Sequence, residues 1–570
     1  MKNKQVSDIL EKFADVLEFH AESAFKINAY RRAARAVLEI SEDIESVWKK
    51  DQLSTIPGVG KGLQGKIAQY LSKGYISQLD DYLKKSPKEL FDLLSIQHFG
   101  PKTAALAFNE LGVETVSDLH EVVDSGKLET LPGMGKKKVE NIRKSLELRE
   151  QASGRFSIGM ALPIAHHVIE YIKEKAGDKI DRISPAGSVR RFCETVHDID
   201  ILVETEHGRE VIDQITKMPE VTRILGAGET KGSVILKERF QVDIRAIKNE
   251  SFGAAVQYFT GSKEFNVRLR ELARKKGYKI SEYGIFQNDT KVGGSREEVI
   301  YEKLGLAWIP PEMREDRGEI QAARENKLPE LVQIDDIRGD IHMHSTYSDG
   351  RESMHAMIEA ARKRGYSYIA FCDHSQTTQY ANGLSEERLL KQIEEIEQLN
   401  GKYPDITILA GSEVEILMDG SLDFSDKMLK KLDFAVASIH SGFKSNVTER
   451  TIAAMQNKYV DVIGHPTGRL ISRRQPFEID IEAVVKEAAR TGTALEVNSH
   501  WDRLDLKDIH IRTAVKAGAK LCINTDAHES ESLGQIMFGV GTARRGWAQK
   551  SDVINTWPLE KLRQWQKRAH

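Results

Sequence analysis

The sequence predicts a multidomain protein with an all-α amino-terminal region, a central α/β domain and a carboxyl-terminal sheet of parallel strands able to close into a barrel. Three observations carry this expectation. Through residues 1 to about 150, apolar residues recur at three and four spacing, as in "VSDILEKFADVLEF" and "KTAALAFNELGV". From about 155 to 315, short β-rich runs ("HDIDILVE", "GSVILK", "FQVDIRAI") alternate with helical ones. From 338 onward seven apolar strand-like runs are separated by helical segments such as "ERLLKQIEEIEQLN", the signature of repeated strand–helix units.

The totals are compatible with several cores. The chain has 570 residues, room for three to five domains of ~100 to 200 residues each. With 40% hydrophobic and 30% charged residues it reads as soluble and globular. No apolar run approaches the ~18 residues of a membrane span, and the charged start "MKNKQVSDILEKFADVLEFH" does not read as a signal peptide. We therefore expect a cytoplasmic protein that is not a membrane partner. Cys193, Cys372 and Cys522 are scattered, which argues against a disulfide framework or a thiolate zinc site. The formal net charge of −3 gives no global signal for nucleic acid, but "GKKKVENIRK" (135–144) and "KEFNVRLRELARKKGYK" (263–279) are locally basic.

The helical region contains a repeat. "IPGVGKGLQGKIAQYL" (56–71) and "LPGMGKKKVENIRKSL" (131–146) share apolar-Pro-Gly-x-Gly-Lys before a helix, and "IQHFGPKTAALAF" (96–108) is a weaker copy with His98 at the first glycine position. These segments resemble helix-hairpin-helix motifs. The resemblance implies that Gly58, Gly60 and Lys61, and likewise Gly133, Gly135 and Lys136, hold a DNA phosphate through backbone N–H groups, with a monovalent cation at the turn. "FKINAYRRAARAV" (25–37) is similar to the small amino-terminal domain of beta-type repair polymerases. Lys66 falls on its Schiff-base lysine, and Lys26 and Tyr30 also match, whereas Gly62 and Gln78 stand where that domain has lysines. The implied roles are a grip on a downstream 5′-phosphate and a 5′-deoxyribose phosphate lyase resting on Lys66.

In the central domain, alternation along "HDIDILVE" puts Asp198 and Asp200 on one strand face and Ile199 and Ile201 on the other. The same alternation in "FQVDIRAI" buries Phe240, Val242 and Ile244 and turns Asp243 outward. Three carboxylates on adjacent strands repel one another without cations and make a cage for Mg²⁺ or Mn²⁺. Just upstream, "GSVRR" (187–191) offers a turn and an arginine fork suited to phosphate. Together with "YFTGSKEFNVRLR" (258–270) these residues resemble the family X DNA polymerases. By that resemblance Gly187, Ser188 and Arg191 sit at the triphosphate and Asp198, Asp200 and Asp243 hold the metals. Tyr258, Phe259 and Gly261 line the sugar pocket, Asn266 bonds the incoming base and Arg270 reaches the template minor groove.

In the carboxyl-terminal region nearly every strand ends on histidine, aspartate or glutamate. His342, His344, Asp349, His374, Glu413, His440, His465, Asp526 and His528 converge if the strands share one open face. Imidazole and carboxylate suit Zn²⁺, Mn²⁺ or Fe²⁺, and nine donors exceed the needs of one ion, so two or three are implied. "DIHMHSTYSDG", "CDHS", "GSEVEI", "SIHS", "GHP" and "NTDAH" resemble the polymerase-and-histidinol-phosphatase (PHP) phosphoesterases, with a distorted (βα)7 barrel around a Zn or Mn cluster, and all nine residues fall on its ligand positions.

The expected order is a helix-hairpin-helix domain at 1–90, a second at 91–153, a nucleotidyltransferase palm at 154–246, a nucleotide-selection subdomain at 247–315, a linker at 316–334 and a PHP barrel at 335–570. The expected function is gap filling on gapped or nicked double-stranded DNA with dNTPs, by a monomer. It is joined to a 3′–5′ exonuclease, and incision at abasic sites is a further activity open to the same barrel. Two other readings stand beside it: a template-independent nucleotidyltransferase fused to a small-molecule phosphatase, and a non-catalytic DNA-end scaffold.

Overall fold

A computed structural model describes residues 2–40, 43–96, 98–152, 155–237 and 239–569. It divides into two compact units, one of residues 1–153 with 472–474 and one of residues 154–471 with 475–570.

The first unit is all helix among its described residues. Its long helices, Lys2–Phe19, Ala24–Glu39, Lys61–Lys73, Pro101–Leu111 and Lys136–Ala152, close on a core that includes Leu10, Phe13, Leu17, Ile67, Phe99 and Ile142. Entry points are fixed locally. Ser23 caps Ala24–Glu39, Asp43 caps Ile44–Lys49, and Thr115 with Asp118 forms a capping box.

In the second unit, a five-stranded sheet runs in the spatial order Arg182–Pro185, Asp198–Glu204, Gln241–Ile247, Lys231–Leu236, Val221–Ala227. Asp198–Glu204 and Gln241–Ile247 are parallel and the other pairs antiparallel. The helices Ile158–Ala176 and Gly208–Thr216 bury its apolar face, where Ile199, Ile201, Val242 and Ile244 are fully enclosed. The helices Asn249–Thr260 and Lys263–Lys275 follow, then three short antiparallel strands and the helix Glu298–Leu304.

The stretch 316–334 is more than a tether. It contains the helix Glu319–Arg324, whose buried Glu319 accepts the backbone N–H groups of Asp316 and Arg317, and Val332 N–H donates to Ala548 O at 3.0 Å. Glu319, an acid that reads as linker polarity, instead satisfies two backbone donors, and this keeps the segment packed.

Seven parallel strands form the barrel in chain order: Gly339–Met343, Tyr368–Phe371, Thr407–Glu415, Phe434–Ser438, Val462–Ile463, Ala494–Asn498 and Leu521–Asn524. A parallel bridge from Met343 to Ala527 joins the last segment to the first. Both layers around the strands are filled, from Phe371, Ile408 and Val497 to Ile341, Tyr368 and Val436, so the barrel is a packed core with its polar groups at one rim. Among the described residues, no helix is long and apolar enough to cross a membrane.

Candidate metal centres and their surroundings

The palm acids meet because the two parallel strands run in register. Asp200 lies directly opposite Asp243, and Asp198 opposite Gln241. Burial, then the charges of Asp198 and Asp243, push the Asp200 carboxyl up to about 7, the behaviour of acids crowded in a low-dielectric site. Asp243 turns away from the apolar core, yet it is only 8% exposed and accepts from Ser233 and Gln241, with Lys231 at 3.5 Å. "Outward" on this sheet therefore means onto a polar face on which Asp243 is enclosed while the Asp198 side chain stays 39% exposed. Gly187 sits against Asp200. Its φ is +58°, and a Cβ there would run into Asp200 Oδ2.

Arg191 is paired on both sides of its guanidinium. Its Nε donates to Glu315 at 3.1 Å and its Nη1 donates to Thr260 O. Ser188 lies in the short helix Gly187–Arg190. Tyr258 and Phe259 meet edge to face, and the Arg245 guanidinium stacks 4.3 Å from the Phe259 ring centre. Gly261 follows with φ +74° at the end of that helix. The Asn266 amide accepts from Gln257 and donates to Tyr258 O, both at 2.7 Å, and so is fixed in orientation. Arg270 is exposed one turn further along.

At the barrel rim all nine nominated residues gather, with Glu413 at the centre. Its oxygens lie 3.0 Å from nitrogens of His374 and His465, 3.2 Å from His440, 3.5 Å from His342 and 3.6 Å from His344. Three groups are compact enough for an ion: His344, Asp349, His374 and His528; His342, His344 and Asp526; His374, Glu413 and His440. His344 belongs to the first two and His374 to the first and third, so the positions adjoin. His465 joins them through Glu413. Burial alone would raise Glu413, but His440, His342 and His374 outweigh it and hold the carboxyl well below its usual range. Burial opposes protonation of His440 and His528, yet Glu413 and Asp349 respectively, each with a second acid, lift them to about 9. The fit to cations rests on orphaned atoms. His342 Nε2, His344 Nδ1 and His374 Nδ1 are buried without a hydrogen bond, each facing a carboxylate oxygen at 3.5, 3.7 and 3.0 Å respectively, and imidazole nitrogens set against carboxylates in this way are what a metal ion satisfies.

Sequence reasoning missed the residues behind the cluster. Glu496 lies 2.6 Å from His342 Nδ1 and also accepts from Asn524 and from the His465 N–H. Glu415 lies 2.8 Å from His440 Nδ1. Such outer partners fix ring orientation, and their signal was an acid at an alternate position inside an apolar strand. Arg503 carried no signal at all. Its Nε is 3.9 Å from Asp526, and its Nη1 is buried with no hydrogen bond.

In the helical unit the three repeat turns share one geometry. Val59, Phe99 and Met134 each donate to the carbonyl three residues back, at 3.1 Å. Gly58, His98 and Gly133 occupy the left-handed region at φ +78°, +67° and +75°. Gly60, Gly100 and Gly135 stand immediately before the helices that begin at Lys61, Pro101 and Lys136. The free N–H groups of such helix starts suit a phosphate. Lys66 projects from the first of these helices, its Nζ donating to Gly62 O at 3.2 Å and lying 5.9 Å from the Tyr30 ring centre, and burial and then the Lys26 charge depress its pKa.

Comparison with known proteins gives matches to a helix-hairpin-helix domain (residues 1–76), a SAM-like helix-hairpin-helix tandem (90–149), a DNA polymerase beta thumb (255–315) and a PHP domain (340–500). The chain is 39% identical over 576 residues to the DNA polymerase/3′-5′ exonuclease PolX of Bacillus subtilis, spanning 100% of both chains. Over about a third of its length the chain is also similar to probable phosphatases. One from a Thermoanaerobacter species is 30% identical over 38% of this chain and 89% of that protein. Another, from Caldicellulosiruptor bescii, is 29% identical over 34% of this chain and 82% of that protein.

Proposed function

The chain belongs to the family X DNA polymerases that carry a PHP domain, and from that membership we propose that it fills short gaps in DNA during base excision repair and trims 3′ ends at the barrel. One observation supports the pairing of activities above the others: the same compact unit holds two separate acid-rich cages, the Asp198, Asp200 and Asp243 group and the barrel cluster around Glu413. Asp198, Asp200 and Asp243 would hold Mg²⁺ or Mn²⁺, and the nine barrel residues two or three Mn²⁺ or Zn²⁺ ions. Bound at either place, divalent ions supply the charge neutralisation that phosphoryl transfer needs.

The protein groups do the rest. Ser188 and Arg191 receive the β,γ-phosphates, and Arg191 exchanges Glu315 for phosphate, one anion for another, so the guanidinium never loses a counter-charge. Tyr258, Phe259 and Gly261 shape the sugar pocket. Asn266, held by Gln257 and Tyr258, keeps an amide N–H for the base edge, and Arg270 extends the same helix face towards the template. In the barrel, Glu496 and Glu415 aim the imidazoles, and Arg503 offers its unpaired Nη1 to a non-bridging phosphate oxygen. The helix starts at Lys61 and Lys136 hold the DNA backbone without reading sequence, with a monovalent cation at each turn. The protein acts as a cytoplasmic monomer.

Gapped DNA incubated with Mn²⁺, with and without dNTPs, tests this on a sequencing gel. Asp198→Ala with Asp200→Ala should abolish extension and leave degradation, and His344→Ala should do the reverse. Loss of both activities in a folded single-site variant refutes separate sites. An abasic oligonucleotide in the same assay reports incision by the barrel.

The geometry around Lys66 favours a further activity of the helical unit. An amine with a depressed pKa is a better nucleophile near neutral pH. Borohydride should trap a covalent adduct between the protein and 5′-deoxyribose phosphate DNA, and Lys66→Ala should remove it; trapping that persists in Lys66→Ala refutes this assignment.

A further inference from the structure

Part of this chain is similar to probable phosphatases over most of their length, so a metal cluster of this kind does not by itself say why a polynucleotide end would be its substrate. We propose that Tyr380 is a base-stacking platform at the barrel mouth, which seats the 3′-terminal nucleobase and makes the site select a DNA end over a simple phosphate ester. The inference rests on the exonuclease reading above.

Tyr380 is 77% exposed, the most exposed large apolar side chain of the barrel, and its ring packs on no other aromatic among the described residues. Yet the loop that carries it is pinned along its length. Six residues after His374, the ring stands at the centre of the short helical turn Gln379–Ala381. Before it, Thr377 N–H donates to Asp423 Oδ2 at 2.7 Å and Gln376 donates to Asp423 O at 2.9 Å. After it, Asn382 donates to Tyr347 O at 3.1 Å and receives Arg388 on its carbonyl at 2.9 Å. Ser375 and Leu384 close the base of the loop as a parallel bridge.

A rigid arch that holds an aromatic ring in water does nothing for the core, since the ring buries little surface. Its position supplies the reason. Ser375 N–H donates to the Glu413 carbonyl at 3.0 Å and Leu384 N–H donates to the His374 carbonyl at 2.7 Å, so both ends of the arch are tied to residues of the metal cluster. A phosphodiester seated on that cluster brings a sugar and a flat base with it, and every base offers a π-face to a ring so placed. Preorganisation by the pinned loop removes the ordering cost that a flexible aromatic would incur.

The test compares 3′–5′ degradation of oligonucleotides ending in a normal nucleotide or in an abasic tetrahydrofuran residue. Tyr380→Ala should raise KM about tenfold for the normal end and leave it unchanged for the abasic end. In both cases kcat and the melting temperature should stay as in the wild type, while Tyr380→Phe and Tyr380→Trp keep wild-type KM. With Ca²⁺ in place of Mn²⁺, a 3′-terminal 2-aminopurine should be quenched by the wild-type protein and markedly less by Tyr380→Ala. Equal KM changes on both ends, or none, would overturn the platform while leaving the exonuclease intact. Absence of any 3′–5′ degradation by the wild-type protein would instead overturn the exonuclease reading and the platform with it.

Discussion

At the scale of single residues, the palm depends on a glycine as much as on its acids. Gly187 adopts φ +58° with its α-carbon facing Asp200, so a side chain is opposed twice, by backbone strain and by collision with a carboxylate. Gly187→Ala would displace Asp200, and a shift of about 1 Å in a reacting geometry costs on the order of 100-fold. We expect single-nucleotide gap filling to lose about that factor in kcat while degradation by the barrel stays unchanged, as read by steady-state kinetics on one gapped substrate. Gly187 was legible in the sequence because "GSVRR" placed a turn ahead of two alternating aspartates. The barrel residues were legible for a related reason: all but Asp349, which lies in the loop after the first strand, sit at or near a strand end, and strand ends converge. Glu496 and Glu415 escaped because an acid that holds the back of an imidazole looks, in sequence, like any acid in a strand. Arg503 escaped because its meaning lies in a missing hydrogen bond, which only three-dimensional packing reveals.

At the scale of elements, buried ion pairs hold what periodicity could only propose. Glu297, just before the helix Glu298–Leu304, is reached by Arg314 at 2.6 Å, by Arg190 of the palm at 2.8 Å and by Trp308 at 3.1 Å. Burial would raise its pKa, but the two guanidinium groups bring it down to about 2. A carboxyl held below its unfolded value of 4.5 stabilises the fold fully above that pH, and the contribution fades as pH falls towards 2. The shift corresponds to about 3 kcal/mol. Glu297→Gln should therefore destabilise the protein by about that amount at pH 7, and the gap to wild type should narrow below pH 4.5 in urea denaturation. No such pairing could be read from the sequence, where Arg190 and Glu297 are remote. The third helical turn shows the converse limit. His98 looked unlike a turn residue, yet it takes the same left-handed conformation as Gly58 and Gly133, because the turn requires a backbone angle and glycine is only the easiest way to reach it.

At the scale of the whole molecule, palm and barrel are joined through charge. Arg545, at the end of the barrel helix Ile536–Arg545, donates to Glu315 at 2.9 Å and to the Arg191 carbonyl at 2.8 Å, and pairs with Asp508 at 2.9 Å. Beside it, Gly541 of the same helix leaves just enough room for the Phe192 ring of the palm. Glu315 is thus shared between a barrel arginine and Arg191, the residue we propose for the triphosphate. Sharing weakens the hold of Glu315 on Arg191 and leaves Arg191 readier to exchange partners. If Arg545 is removed, Glu315 has only Arg191 to neutralise it, and burial makes that attachment strong. Arg545→Met should consequently raise KM for dNTP several-fold with kcat nearly unchanged, an effect on nucleotide addition from a side chain of the barrel helix. It should also lower the stability, though by less than the loss of a sole partner would, because Asp508 keeps Arg317 at 2.9 Å. Combining Arg545→Met with Glu315→Gln tests the route: without the competing carboxylate, KM should return towards the wild-type value. A KM that stays raised in the double variant would mean that Arg545 acts by holding the palm in place and not by drawing charge away from Arg191.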